Sequence, residues 1–179
     1  MADTQLAPPT TSQRIRARLR GRAPVRNPAA VTGLATAAGV TGLTLLVAIG
    51  VLLHRPVLIP PLAASAALVF AAPTLPLAQP RCVIGGQLVS GTVGLICLSV
   101  AGNSLWTAGA AGGLAIGAMA LSRTSHSPAA ATAVIAVMTE PPAPQFIALL
   151  ALATVVLVTV GVAAGRMKCS AGRYPVYWW

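Results

Sequence analysis

"IPPLAASAALVF", residues 59–70, and "TSHSPAAATAVIAV", residues 124–137, are two versions of one pattern. Each passes from proline through small residues, with a hydroxyl nearby, into an apolar run that a second proline cluster ends. Proline suits the first turn of a helix and interrupts a helix further along, so both stretches predict helices of about eleven residues. At about 1.5 Å per residue such a helix covers ~16 Å, half of the hydrocarbon core of a bilayer.

The rest of the chain is apolar enough to surround these short helices with membrane spans. Of its 179 residues, 56% are hydrophobic and only 8% are charged, which is far outside the range of soluble globular proteins. We therefore predict an all-α polytopic membrane protein with four long transmembrane helices and two half-length helices. The predicted long segments are residues 31–53, 82–101, 103–122 and 145–165.

The two short helices belong to a larger repeat. One constant offset along the chain superposes Pro61 on Pro128 and Ser65 on Thr132, and it also superposes the neighbouring long segments. The repeating unit is a long helix, a half-helix and a second long helix. The predicted repeats are residues 33–99 and 100–166. Short, proline-interrupted segments at corresponding places of two repeats indicate a transporter's binding site.

The sequence leaves open whether each half-helix crosses the membrane or returns to the side it came from. If it returns, Arg55, Arg81 and Arg123 all lie outside. If it crosses, Arg81 and Arg123 move to the inner side with both termini, which the positive-inside rule favours. Each repeat then makes three passes, and the second repeat is inverted relative to the first.

The two ends of the chain are predicted to be tails. Residues 1–28 carry six arginines among Pro, Thr and Ala, cannot bury a core, and are expected to form a disordered basic cytoplasmic tail that touches lipid. Residues 29–166 form the membrane domain. Residues 167–179 form a short tail whose "YPVYWW" resembles an interfacial aromatic anchor. The net charge of +10 is therefore interpreted as topogenic, with no nucleic-acid partner expected.

The starts of the two half-helices offer an anion site. A helix N-terminus carries about half a positive charge and unpaired N–H groups, and two of them facing each other from opposite sides strengthen the attraction. Hydroxyls beside these starts and polar residues of the third pass complete the predicted site. The candidate substrate-binding residues are Pro61, Ala63, Ala64, Ser65, Gln87, Ser90, His126, Ser127, Pro128, Ala130, Ala131 and Thr132.

Two interpretations of His126 stay open. It either donates to the anion or carries a proton, since an unperturbed imidazole titrates near physiological pH, or it is an interfacial or capping residue. Gln87, Ser90 and Gly94 form one helical stripe along the third pass. The glycines of the fourth pass, at intervals of four, are interpreted as a helix-packing surface. They are Gly109, Gly113 and Gly117.

The composition argues against an enzyme. The only carboxylates are Asp3 and Glu140, so there is no carboxylate pair and no Ser-His-Asp set. The three cysteines have neither a CxxC spacing nor a metal-ligand spacing, and we expect no cofactor and no metal.

"PPLAASAALVFAAPTLPLAQPRCVIGGQLVSGTVGL", residues 60–95, and "HSPAAATAVIAV", residues 126–137, resemble the HPP family of integral membrane proteins. The resemblance covers residues 33–165 and implies a membrane protein of bacteria or plastids, here of the bacterial inner membrane, with relatives linked to nitrite transport. The family's His-Pro-Pro reads His126-Ser127-Pro128 here, which adds a hydroxyl. Cys82 and Gln87 stand where the family suggests asparagine and histidine, and Gln87 removes a titratable group.

Together these observations predict a homo-oligomeric transporter or channel for a small monovalent anion, and the resemblance makes nitrite the first candidate. The lipid bilayer is the other expected partner. The competing hypothesis is a membrane scaffold or sensor subunit that transports nothing, in which the polar starts of the half-helices are structural.

Overall fold

The computed structural model describes residues 10–12 and 26–179, and the regular structure in this part of the chain is helical, without strands. Six α-helices follow one another between residues 26 and 179. They are α1 (Ala29–Leu53), α2 (Pro60–Ala71), α3 (Pro80–Ala101), α4 (Leu105–Leu121), α5 (Ser127–Thr139) and α6 (Ala143–Gly165). A single 3₁₀ turn, Pro76–Ala78, precedes α3.

Local chemistry explains where these helices begin and end. Proline occupies the first or second position of α2, α3, α5 and α6, where its fixed φ suits a helix and its missing N–H costs nothing. The start of α4 is instead capped by Ser104, whose side chain accepts from the N–H of Thr107 at 3.0 Å. His54 and Glu140 end α1 and α5 in the left-handed conformation, with φ of 51° and 46°.

Five of the six helices have about the lengths predicted from the sequence, and α4 is shorter than predicted. α1, α3 and α6 have 25, 22 and 23 residues and are long and apolar enough to cross a membrane. α2 and α5, with 12 and 13 residues, are the predicted half-length helices. α4 has only 17 residues, because the turn at residues 102–104 delays its start. The expectation of four long helices therefore holds for three.

Hydrogen bonds near the helix ends show which ends lie on the same side of the bundle. Arg81 donates through Nη2 to the Ser122 carbonyl at 3.1 Å, so the start of α3 lies beside the end of α4. The C-terminal residues 166–179 lie at this same end of the bundle, which we call the tail face. At the opposite end, the loop face, Asn103 donates to Glu140 at 2.7 Å.

The half-helices complete crossings of the bundle. The first turns of α1 lie beside the ends of α2 and α6 at the tail face, so α1 leaves the tail face and arrives at the loop face. Residues 54–59 then lead into α2, which runs back and ends at the tail face. Each helix is thus antiparallel to the next, as the crossing alternative requires.

α3 is the central helix, and small residues let α5 approach it closely. A Cβ added to Gly94 would lie 2.6 Å from the carbonyl oxygen of Ala133, and one added to Gly86 would lie 2.7 Å from the Cβ of His126. Backbones packed this closely tolerate only glycine, as is typical of helix contacts in lipid. The glycine positions of α3 therefore fix where α5 lies.

Apolar packing holds the remaining helices to this centre. A cluster on α1, α2 and α6 includes Leu46, Leu62, Val69 and Leu157, all buried. A second cluster joins α4 to α5 through alanines and Val137. Most of the predicted basic tail, 1–28, lies outside the described residues.

We predict that Gly94→Ala destabilises the protein by ~1–3 kcal/mol, because the new methyl meets the backbone of α5 rather than a side chain that can turn away. The matched control is Gly33→Ala on α1, where an added Cβ meets nothing within 4 Å. Thermal unfolding of the purified proteins in detergent checks this. Equal unfolding midpoints for the two variants would show that α3 and α5 are not in close contact.

Candidate functional site

Gln87 on α3 connects the two half-helices. Its Nε2 donates to the Ser65 hydroxyl at 3.0 Å, and its Oε1 accepts from the Thr132 hydroxyl. Ser65 is the sixth residue of α2 and Thr132 is the sixth residue of α5, so the amide bridges corresponding positions. All three side chains are fully buried. A buried amide whose two ends are both paired fixes α2 and α5 relative to α3.

His126 extends this network. Its Nε2 lies 2.7 Å from the Ser65 hydroxyl and its Nδ1 lies 2.8 Å from the carbonyl of Leu77. The side chain is fully buried and makes no capping hydrogen bond to the start of α5. The imidazole is therefore held at both nitrogens, between α2 and the turn that follows α2.

Ser90 sets the depth at which α5 begins. Its hydroxyl donates to the carbonyl of Ala129 at 2.5 Å, and Ala129 is the third residue of α5. Ser90 itself lies near the middle of the 22-residue α3. The first turn of α5 is thus level with the centre of α3 and inside the bundle, at a distance from the tail face.

A cavity of about 250 Å³ opens beside this buried network. Its lining residues are Leu77, Ile116, Met119, Ser125, His126, Ser127 and Ala130. Ser125 and Ser127 are exposed in it. Within the described residues, the backbone N–H groups of Ser125, His126 and Ser127 have no hydrogen-bond partner. The start of α5 therefore places two hydroxyls and three unpaired peptide N–H groups beside one small, mainly apolar cavity.

The start of α2 is built differently. Pro60 and Pro61 have no N–H, and the N–H of Leu62 donates to the Ile59 carbonyl at 2.9 Å. The carbonyl of Pro61 accepts from the Ser65 hydroxyl at 2.9 Å. α2 therefore contributes Ser65 and the positive end of its dipole, while its first three residues offer no free N–H group.

The other predicted site residues are dispersed. Ala63 lines a separate apolar groove of about 310 Å³ between α1 and α2. Ala64 and Ala131 are exposed and Pro128 is half-buried. The structure thus brings Ser65, Gln87, His126 and Thr132 into one hydrogen-bonded network, with Ser90 beside it. Ser127 and Ala130 line the adjoining cavity, whereas the first-turn alanines of α2 lie elsewhere.

Gln79, which no pattern in the sequence singled out, is fully buried and joins the C-terminal tail to the turn before α3. Its Nε2 donates to the carbonyls of Pro73 and Leu75 at 2.8 and 2.9 Å, and its Oε1 accepts from the N–H of Val176 at 2.8 Å. The same turn carries the Leu77 carbonyl that accepts from His126. A glutamine between two proline-rich stretches was the available signal.

The aromatic residues of the tail divide into two groups. Trp178 and Trp179 are exposed, and the Trp179 ring lies 5.3 Å from the Arg81 guanidinium. Tyr174, by contrast, is only 3% exposed and fits against Gly161, where a Cβ would lie 2.8 Å from its ring. Burial raises the pKa of the Tyr174 phenol, which therefore stays neutral. The tail is packed on the bundle through Tyr174 as well as carrying surface aromatics.

We predict that Gln79→Ala loosens the tail, because it removes three hydrogen bonds from a buried site and leaves the Val176 N–H without its partner. Limited trypsin digestion measures this through cleavage at Lys168 and Arg173, which we expect to accelerate about fivefold or more. Gln145→Ala on α6 is the control. Unchanged cleavage in the Gln79 variant would contradict the role given to this side chain.

Comparison with known proteins identifies the family. The sequence model of the transmembrane region of the HPP family matches residues 24–175, so the chain belongs to that family and is an integral membrane protein. A transmembrane protein of Dictyostelium discoideum is 35% identical over an alignment of 126 residues, which covers 65% of this chain and 40% of that protein. The chain thus spans about two fifths of that relative's length. No solved structure matches.

Proposed function

We propose that this member of the HPP family transports a small monovalent anion, with nitrite as the first substrate to test, and that the anion binds at the start of α5. The cavity beside His126 is the observation that carries this proposal. Its volume of about 250 Å³ lies below the usual range of ~300–1,000 Å³ for drug-sized ligands, and it suits an inorganic ion.

The chemistry of the cavity favours a negative guest. Three successive peptide N–H groups and the hydroxyls of Ser125 and Ser127 can donate to it, and the dipole of the 13-residue α5 points its positive end there. None of the lining residues is acidic. Neutral donors hold an ion less tightly than a buried arginine would, which permits release.

The position of the cavity also supports transport. Non-helical backbone inside a membrane protein is tolerated where it lines a cavity or is buried in protein, and such backbone is where transporters bind their ions. Residues 124–126 are such a segment, and α5 begins level with the centre of α3. The basic residues of the tail face make it the proposed cytoplasmic side. They are Arg81, Arg123, Arg166, Lys168 and Arg173.

The proposed inverted repeat has support in matching contacts. An added Cβ on Gly94 would lie 2.9 Å from the Cβ of Ala136, and one on Gly161 would lie 2.5 Å from Val69. The offset that carries Pro61 onto Pro128 also carries Gly94 onto Gly161 and Val69 onto Ala136. The third helix of each repeat thus meets the half-helix of the other repeat at equivalent positions. The first residues of α2 and α5 are related by the same offset.

A homo-oligomer is the proposed working form. Gly109, Gly113 and Gly117 lie on an exposed face of α4, and an added Cβ at any of them would meet nothing within 4 Å. These glycines therefore do not serve packing against the helices formed by residues 26–179. Small residues four apart let helices of two membrane proteins approach closely, so α4 is the proposed contact between copies.

We predict that Gly113→Leu shifts the purified protein from oligomer to monomer, because the larger side chain separates the two α4 helices. Light scattering in mild detergent measures the molar mass. The control is Gly33→Leu on α1, another exposed glycine without neighbours, which should leave the mass unchanged. A Gly113→Leu protein with the wild-type mass would exclude α4 as the contact.

The anion site is tested by nitrite flux into vesicles that contain the purified protein. Ser125→Ala and Ser127→Ala each remove one hydroxyl that lines the cavity, and the double variant removes both. We predict that the KM for nitrite rises about tenfold or more in the double variant and less in each single variant.

The scaffold alternative is favoured by one observation, namely that Ser65, Gln87, His126 and Thr132 satisfy one another in a fully buried network. The same flux experiment separates the two functions. If the wild-type protein carries no nitrite, nitrate, formate or chloride above the rate of empty vesicles, the transport proposal is wrong and the scaffold stands.

A further inference from the structure

The hydrogen bonds around His126 determine which of its nitrogens carry hydrogen. The Leu77 carbonyl can only accept, so the Nδ1 that lies 2.8 Å from it is protonated. Nε2 lies 2.7 Å from the Ser65 hydroxyl, which can donate or accept. The ring is therefore either neutral, with Nε2 as an acceptor, or positively charged, with Nε2 as a second donor.

The Ser65 hydroxyl can serve both states. It accepts from Gln87 Nε2 at 3.0 Å, which leaves one hydrogen and one lone pair for its two other neighbours, His126 Nε2 and the Pro61 carbonyl at 2.9 Å. With neutral His126, the hydroxyl donates to Nε2. With charged His126, it accepts from Nε2–H and donates to Pro61. A proton can be added to the ring while the hydroxyl rotates and every heavy atom stays in place.

A positive charge at this place has no partner among the side chains of residues 26–179. Among the elements that pack around His126, α2, α4, α5 and the 3₁₀ turn contain no titratable side chain, and α3 contributes Arg81, Cys82 and Cys97. Arg123 lies in the preceding loop. The chain has only two carboxylates, and of these Glu140 is bonded to Asn103 at the loop face. A buried charge without a counter-ion is costly.

The anion cavity borders His126, so an anion bound there would lie next to the buried ring and could act as its counter-ion. We propose that His126 takes up one proton together with each anion, so that proton and anion bind cooperatively and move in a ratio of one to one. This inference rests on the proposed anion transport. Because the anion is the counter-ion of the imidazolium, each ligand tightens the binding of the other by the same factor.

The two repeats differ at the position of His126, so the bundle has one proposed proton site and not two. By the offset that relates the repeats, Ile59 is the counterpart of His126 and Thr154 is the counterpart of Gln87. The hydroxyl of Thr154 donates to the Leu150 carbonyl of its own helix at 3.0 Å. The second repeat therefore brings an imidazole to the centre and the first repeat does not, so the expected ratio is one proton per anion.

Vesicles containing the full protein test the coupling. The vesicles start with equal nitrite concentrations on both sides and a lower pH outside. We predict net nitrite uptake until the inside-to-outside ratio of nitrite approaches the outside-to-inside ratio of protons, which is about tenfold for one pH unit. An imposed potassium diffusion potential should not change this ratio, because the combined movement is electroneutral. Flux through empty vesicles is subtracted, since nitrous acid crosses lipid unaided. Nitrate, the anion of a strong acid, serves as a second probe without this leak.

His126→Gln and Ser65→Ala are the test variants, and His54→Gln at the exposed end of α1 is the control. We expect the pH gradient to drive no anion accumulation and no acid stimulation of anion flux in His126→Gln, with His54→Gln unchanged. Ser65→Ala, which lacks the rotating hydroxyl, should weaken accumulation by about fivefold or more. Loss of anion-dependent proton uptake by the purified His126→Gln protein, followed with a pH dye, gives an independent readout if its flux is low.

The outcomes distinguish the two proposals. Anion flux that ignores the pH gradient and follows the imposed potential would overturn proton coupling and leave anion transport standing. Accumulation that persists in His126→Gln would remove His126 as the proton site. Absence of any protein-dependent flux in the wild type would instead overturn the transport function and, with it, the coupling that rests on it.

Discussion

The fold depends on the need to pair both ends of one buried amide. Gln87 lies where no water competes, so its N–H₂ and its oxygen must each find a partner in the protein. Those partners are Ser65 and Thr132, at the same turn of the two half-helices. The amide can reach both only because Gly86 and Gly94 let the second half-helix lie directly on α3. Small residues and one long polar residue on α3 thus act together.

Much of the architecture could be predicted from the sequence because proline acts locally. The starts of α2 and α5 follow from Pro60, Pro61 and Pro128, whose rings fix φ whatever the rest of the protein does. The start of α4 depends instead on a loop, and composition alone could not show that Ser104 caps the helix and shortens it to 17 residues. The length of an apolar segment predicts that a membrane-spanning helix is present, but it predicts less well at which residues that helix begins and ends.

The polar side chains of the site could be predicted from the sequence, whereas the groups that they contact were harder to predict. Polar residues inside apolar segments are costly unless paired, so Ser65, Gln87, His126 and Thr132 were visible as a group. The carbonyl of Leu77 carries no signal in the sequence, because every residue has one. The place of Tyr174 was equally hidden, since it depends on the space that Gly161 leaves in a distant helix. A contact with a backbone atom, or with the space left by a glycine, can be recognised only in the three-dimensional structure.

The two half-helices begin with different chemical groups, so the centre of the bundle is not the same when approached from its two ends. Both starts carry the positive end of a dipole, but α2 begins with two prolines and a satisfied N–H, whereas α5 begins with free N–H groups and follows His126. Inverted repeats of identical sequence would offer an anion equal sites from the two sides. Here the donors, the imidazole and the cavity all belong to the half-helix reached from the tail face. In the proposed transport, an anion would therefore meet these donors and the central imidazole on one approach, which is the arrangement that the proposed proton coupling needs.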